Sequence, residues 1–150
     1  MDVGLLFSGG KDSALAGLLL EPVADVTALT CSFGITDDVD HARTAAATLG
    51  FDAEPVALDP AVAREAAARI VDDGFPRHGI QLVHEHALET VASRAAAGAL
   101  AVEAVADGTR RDDRVPTVDR SLAQHLEDTH AVHHLAPLAG LGRGAVDALA

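Results

Sequence analysis

Residues 5–15 read L-L-F-S-G-G-K-D-S-A-L, and they decide the fold. Val3–Phe7 is a short apolar run of the kind that forms a buried strand. It empties into Ser8, Gly9, Gly10, Lys11, Asp12 and Ser13, and a helix is expected to follow over Asp12–Leu20, stopped by Pro22. Gly9 and Gly10 permit close approach of the backbone to a ligand and positive φ. The free N–H groups and dipole of the new helix favour an anion there. Ser8 and Ser13 add hydroxyls, Lys11 a charge and Asp12 a magnesium ligand. The pattern is not a Walker A loop, which requires G-x-x-x-x-G-K-[ST], nor is it G-x-G-x-x-G.

Working outward, strands and helices alternate. Val26–Phe33, Ala53–Leu58, Val102–Ala106 and Ala131–Leu135 read as further strands. Asp38–Leu49 reads as a helix closed by Gly50, and Ala61–Val71 as a helix begun by Pro60. Asp73–Gly79 reads as a loop, Ile80–Ala97 and Val118–Glu127 as helices, and Arg143–Leu149 as a closing helix. This order predicts one α/β domain over residues 1–150, a doubly wound parallel sheet with helices on both faces. Its ligand crevice would lie at the carboxyl ends of the strands.

Composition bounds the rest. Of 11 basic residues only Lys11 is lysine, and the net charge is −12. Such a Lys-poor, acidic, Ala-rich chain resembles cytosolic proteins of salt-loving archaea, where acidity serves solvation. It weighs against unaided nucleic-acid binding, which needs clustered Lys and Arg. Apolar residues make up 49% of the chain but aromatics only 3%, so the core must be aliphatic. No apolar run approaches the roughly 20 residues that span a bilayer, and without a basic N-terminal region no signal peptide is expected. A single cysteine, Cys31, excludes an internal disulfide and fits the cytoplasm.

The segment S-G-G-K-D-S (8–13) matches every fixed position of the S-G-G-x-D-S signature. The chain thus resembles the PP-loop ATP pyrophosphatases, the adenine nucleotide alpha hydrolase-like superfamily of NAD, GMP, asparagine and argininosuccinate synthetases and tRNA-thiolating enzymes. Among these it is most similar to small stand-alone archaeal members. The resemblance implies strand order 3-2-1-4-5, with ATP over the carboxyl end of the sheet and Mg2+ beside it. It implies cleavage between the α- and β-phosphates, adenylation of an acceptor oxygen, and attack by a nitrogen or sulfur nucleophile. Lys11, Asp12 and Arg143 would be catalytic, and Ser8, Gly9, Gly10, Lys11, Asp12 and Ser13 would hold the phosphates. Three further stretches carry the likeness: C-S-F-G (31–34), A-D-G-T-R-R-D-D (106–113) and A-P-L-A-G-L-G-R-G-A-V (136–146). They imply nucleotide contacts from Ser32, Phe33, Gly108 and Thr109, a metal ligand at Asp113, and phosphate contact from Arg143. F-P-R-H-G (75–79) is similar to the P-x-R-N loop of 7-cyano-7-deazaguanine synthase relatives, which adds Arg77 to Arg110 and Asp112 as substrate residues.

The chain departs from the sulfur-transferring members in lacking a second cysteine and an RNA-binding domain, and from the deazaguanine type in lacking a zinc cysteine cluster. Cys31, inside an apolar strand, reads as a buried thiol before a sulfur carrier. His84 and His86 point apart on a helix and do not form a zinc pair. R-R-D-D-R (110–114) follows a buried strand at the expected ligand edge and favours a substrate or metal role over a solvated loop. Three functions stand: an adenylating enzyme, a non-catalytic nucleotide-binding subunit, and a tRNA-thiolation subunit. The acceptor, small molecule or tRNA, is not legible, and a homodimer is expected because small doubly wound domains often pair.

Overall fold

The computed structural model describes residues 1–150. Five parallel strands run β1 Asp2–Leu6, β2 Asp25–Ser32, β3 Asp52–Ala57, β4 Ala104–Ala106 and β5 His133–Leu135. The helices are α1 Lys11–Leu20, α2 Asp38–Leu49, α3 Pro60–Asp73, α4 Arg77–Ala96, α5 Arg120–His130 and α6 Arg143–Leu149. The sheet order is β3-β2-β1-β4-β5, as the resemblance implied. β1 is central: Val3 pairs with Val26 on one side and Ala104 on the other.

Period-two alternation along β1 distributes its side chains to two cores. Val3, Leu5 and Phe7 join Leu15, Ala16, Ala42, Ala46 and Val146 beneath α1, α2 and α6. On the opposite face Leu29, Val56 and Val105 meet Leu88, Val91 and Leu126 from α4 and α5. Full burial of one such Leu or Val contributes about 1.5–3 kcal/mol. Ala42 and Ala46, both fully buried, bring α2 close to the sheet. Phe51 packs edge-to-face on Phe7, with centroids 6.4 Å apart, in the space that Gly17 leaves: a Cβ on Gly17 would sit 2.6 Å from the Phe51 ring.

Local chemistry sets the ends of the elements. Gly50 closes α2 with φ of 80°, and Asp59 caps α3 ahead of Pro60 by accepting from the Ala61 amide at 2.9 Å. Several boundaries differ from expectation, among them the start of α5 at Arg120 in place of Val118. β4 and β5 are three-residue strands, shorter than their apolar runs. The expected loop 73–79 shrinks to Gly74–Pro76, because α4 starts at Arg77. Gly79 is therefore helical, and it is buried against α3, where a Cβ would lie 2.7 Å from the Ala66 carbonyl oxygen.

Gly79→Ala is expected to lower stability by up to about 2 kcal/mol: overpacking costs about 1–3 kcal/mol, and helix propensity returns roughly 1. A denaturation midpoint that rises in this variant would refute the close crossing of α3 and α4. No helix is long and apolar enough to cross a membrane.

Candidate functional site

The carboxyl end of the sheet opens into a cleft of about 720 Å³. Its walls are the Ser8–Ser13 loop, the ends of β1 and β2, the loop after β4, and His84 reaching in from α4. At the loop, φ is positive only at Gly9 (80°). Gly10 instead takes an extended conformation and caps α1 without a side-chain hydrogen bond, which corrects the expectation of positive φ at both glycines. Ser13 fastens the loop from within: its hydroxyl donates to the Gly10 carbonyl at 3.1 Å and accepts from the Ser8 amide at 3.4 Å. The first amides of α1 thus point into the cleft end of the sheet without a capping side chain, a ready anion site.

Asp12 stands at this helix start. Its Oδ1 is buried and has no hydrogen-bond partner, while Oδ2 lies 3.5 Å from Arg110 Nη1. A buried carboxylate oxygen without a partner is costly unless something fills its lone pairs. Gly108 makes the approach possible: a Cβ there would lie 3.0 Å from the backbone of Asp12 and Ser13. The loops after β1 and β4 therefore touch directly.

Arg110 organises the acidic side of the cleft. Its guanidinium grips Asp113 at 2.7 Å and lies 3.5 Å from Asp112 Oδ1, while its own amide donates to Asp113 Oδ2 at 2.8 Å. Asp112 in turn accepts from the Arg143 amide at 2.9 Å, and that bond holds its carboxyl below the usual carboxylate range. Lys11 turns the other way and pairs with Asp147 of α6, whose carboxyl is lowered by that contact.

The structure thus brings Ser8, Asp12, Ser13, Gly108, Thr109 and Asp113 into one cleft wall. Arg110, Asp112, Lys11 and Arg143 join it through ion pairs and hydrogen bonds at the loop's flank. Gly9 abuts His41 on α2. Ser32, the last residue of β2, and Phe33 just after it are half-buried, and Thr30 and Cys31 line the cleft in their place. Arg77 is exposed at the start of α4 and takes no part in the cleft. Burial pushes the Cys31 thiol up to about 12, so it stays protonated and a poor nucleophile.

Asp107 is the residue that the sequence reading passed over. It is 3% exposed and directly follows β4 at the floor of the cleft. Its Oδ2 accepts from His134 Nε2 at 2.9 Å, and its Oδ1 accepts from the Thr109 amide at 2.9 Å. His84 Nε2 lies 3.3 Å from the same Oδ2 but outside hydrogen-bond geometry, leaving that buried nitrogen without a partner. Burial alone would push the Asp107 carboxyl up. The two imidazoles and the Thr109 amide outweigh it and hold the group well below the ordinary carboxylate range. A polar residue at the carboxyl end of a strand beside β1, just before Gly-Thr, was the available signal.

DUF7411, a family of unknown function, matches the chain over residues 1–150. The chain belongs to that family. An uncharacterized protein of Methanocaldococcus jannaschii is 37% identical to this DUF7411 chain over 143 residues, which cover 95% of the chain and 68% of the relative. A crystal structure described as a predicted subunit of tRNA methyltransferase, also from Methanocaldococcus jannaschii, is similar with a TM-score of 0.90 and 36% identity, over 99% of this chain and 73% of that one. The NH3-dependent NAD synthetase of Campylobacter jejuni, solved with a nitrate ion, shares the fold with a TM-score of 0.59 at 19% identity. That likeness covers 99% of the DUF7411 chain and 62% of the synthetase.

Proposed function

We propose that this DUF7411 chain binds ATP with magnesium in the cleft and cleaves it between the α- and β-phosphates. The adenylyl group passes to an acceptor oxygen, pyrophosphate leaves, and a nitrogen or sulfur nucleophile then displaces AMP. One observation carries the reading: S-G-G-K-D-S forms the turn from the central strand into an uncapped helix, with Asp12 Oδ1 buried and unpartnered beside it. That orphaned oxygen fits a cation. Asp12 would hold magnesium there, since the Asp113 carboxylate is already clasped by Arg110. The ion would supply charge neutralisation at the phosphates.

The chain's own groups have distinct tasks in this reading. The Ser8 hydroxyl and the first amides of α1 bind phosphate oxygens. Lys11 exchanges Asp147 for the pyrophosphate and stabilises its developing charge. Arg143, at the start of α6, adds a second cation on the same side. Arg110 keeps Asp12 and Asp113 in register, and Asp112 and Arg110 face the acceptor.

The test supplies Mg2+ and ATP with two acceptor sources, a small-molecule cell extract and bulk tRNA, and separates the products. AMP with pyrophosphate is the expected result, and ADP with phosphate would overturn the assignment. A second reading, a nucleotide-binding subunit of a tRNA-modifying assembly, is favoured by the printed description of the 36% identical archaeal structure as a tRNA methyltransferase subunit. It predicts ATP binding without turnover in either mixture. The raised Cys31 pKa weighs against a version in which this thiol carries sulfur.

A further inference from the structure

Away from the cleft, α4 and α5 bring one carboxylate and two imidazoles together. His130 Nε2 lies 2.6 Å from Glu89 Oε1, and His125 Nε2 lies 3.1 Å from Glu89 Oε2. One ligand atom from each of the three residues falls within 4.8 Å of the others. The two rings stand at 87° with centroids 6.2 Å apart. Each imidazole takes its own oxygen of the one carboxylate, so both Nε2 atoms border Glu89.

We propose that Glu89, His125 and His130 form a binding site for a late first-row divalent cation, zinc by preference. The donor set is two borderline nitrogens and one oxygen, which suits zinc and its neighbours and not magnesium. Zinc–ligand bonds of about 2.0–2.1 Å place tetrahedral ligand atoms about 3.3 Å apart. Each imidazole Nε2 already lies 2.6 or 3.1 Å from its own Glu89 oxygen, and one ligand atom from each residue falls within 4.8 Å of the others, so small side-chain rotations bring the three to that spacing. The His130 side chain is 12% exposed, whereas Glu89 and His125 are 42% and 52% exposed. The pocket is therefore walled on one side and open to water for a fourth ligand on the other.

The surroundings of His125 add support. Its Nδ1, the nitrogen that keeps the proton when Nε2 binds a metal, lies 3.2 Å from Thr129 Oγ1. A hydroxyl that accepts from the distal ring nitrogen fixes the tautomer and the orientation of a metal-binding imidazole. The other carboxylate that meets two imidazoles, Asp107, differs: His84 and His134 converge on a single oxygen of a carboxylate buried in the cleft. A bound ion would fasten α4 to α5, and α4 is the helix that carries His84 into the cleft. This inference is independent of the reaction proposed above.

The test uses the full chain stripped with a chelator and titrated with zinc against a chromophoric competitor, with cobalt(II) as a spectroscopic probe. One equivalent is expected to bind, with the intense visible bands of a tetrahedral cobalt site and a rise in the melting temperature. His125→Ala and Glu89→Gln are expected to weaken zinc at least about 10-fold, and Thr129→Val, which removes no ligand, by a smaller factor. His125 lies on an exposed helix face, so its variant should fold, and circular dichroism checks that it does. Zinc affinity unchanged in both ligand variants would overturn the proposal, as would the absence of saturable binding. Loss of the equivalent in Asp12→Asn, which would place the ion in the cleft, would overturn it too.

Discussion

Lys11→Ala is expected to lower the rate of AMP and pyrophosphate formation by about 10²–10³-fold, the usual effect of deleting one group that meets developing charge. The lysine sits at the first position of α1, where the helix dipole and the amides already favour an anion. Its exposed pair with Asp147 is worth little by itself, so the ammonium can exchange partners at small cost. If Lys11 acts on the leaving pyrophosphate, kcat falls more than KM for ATP rises. Lys11→Arg should recover only part of the rate, because a planar fork does not replace a compact point charge. Equal rates for wild type and Lys11→Ala would remove Lys11 from the chemistry.

Asp107→Ala is expected to destabilise the fold by about 3–5 kcal/mol, the range for removing one partner from a buried ionic group. His134 and the Thr109 amide would each lose an acceptor at a position only 3% exposed. The pH dependence separates charge from shape. A carboxyl whose folded pKa lies below its unfolded value of about 3.9 adds stability above that value and loses it as pH falls further. The stability gap between wild type and Asp107→Asn should therefore be full near neutral pH and narrow steadily below about pH 4. Chemical denaturation at a series of pH values reads this directly. A gap that stays constant down to pH 2 would mean that Asp107 acts only through packing.

Most of the fold was written in local signals. The Gly50 cap, the Pro60 helix start and the apolar runs of β1 and β2 each depend on neighbours a few residues away, and each lies where expected. The start of α4 was misread because glycine and proline in D-D-G-F-P-R-H normally break helices. Gly79 is in the helix for a tertiary reason, the closeness of the Ala66 carbonyl, which no local pattern encodes. Val102 and Ala131 were read into strands on hydrophobicity alone, although the sheet pairs only three residues of β4 and of β5.

The site divides along the same line. The loop 8–13 and the segment 108–113 could be found because contiguous residues carry the pattern. The Asp107 cluster could not, because His84 and His134 come from α4 and β5, and only the folded sheet brings them to one oxygen. The Glu89–His125–His130 group is hidden for the same reason. Arg77 illustrates the converse: a local likeness put it at the site, yet the helix that begins with it turns its side chain to solvent.

The central position of β1 has a consequence for the order of assembly. Its pairing with β2 joins near neighbours in sequence, whereas its pairing with β4 must wait for residues around Ala104. Such distant pairings close slowly, because the entropy of the long intervening chain is lost before they contribute. During synthesis the β1–β2–β3 half, with α1 and α2, can form first. The Ser8–Ser13 loop then stands on a finished edge with nothing opposite it. Gly108, Asp113 and the α6 partner of Lys11 arrive later, so the proposed nucleotide binding would report the joining of both halves of the sheet and not the first half alone.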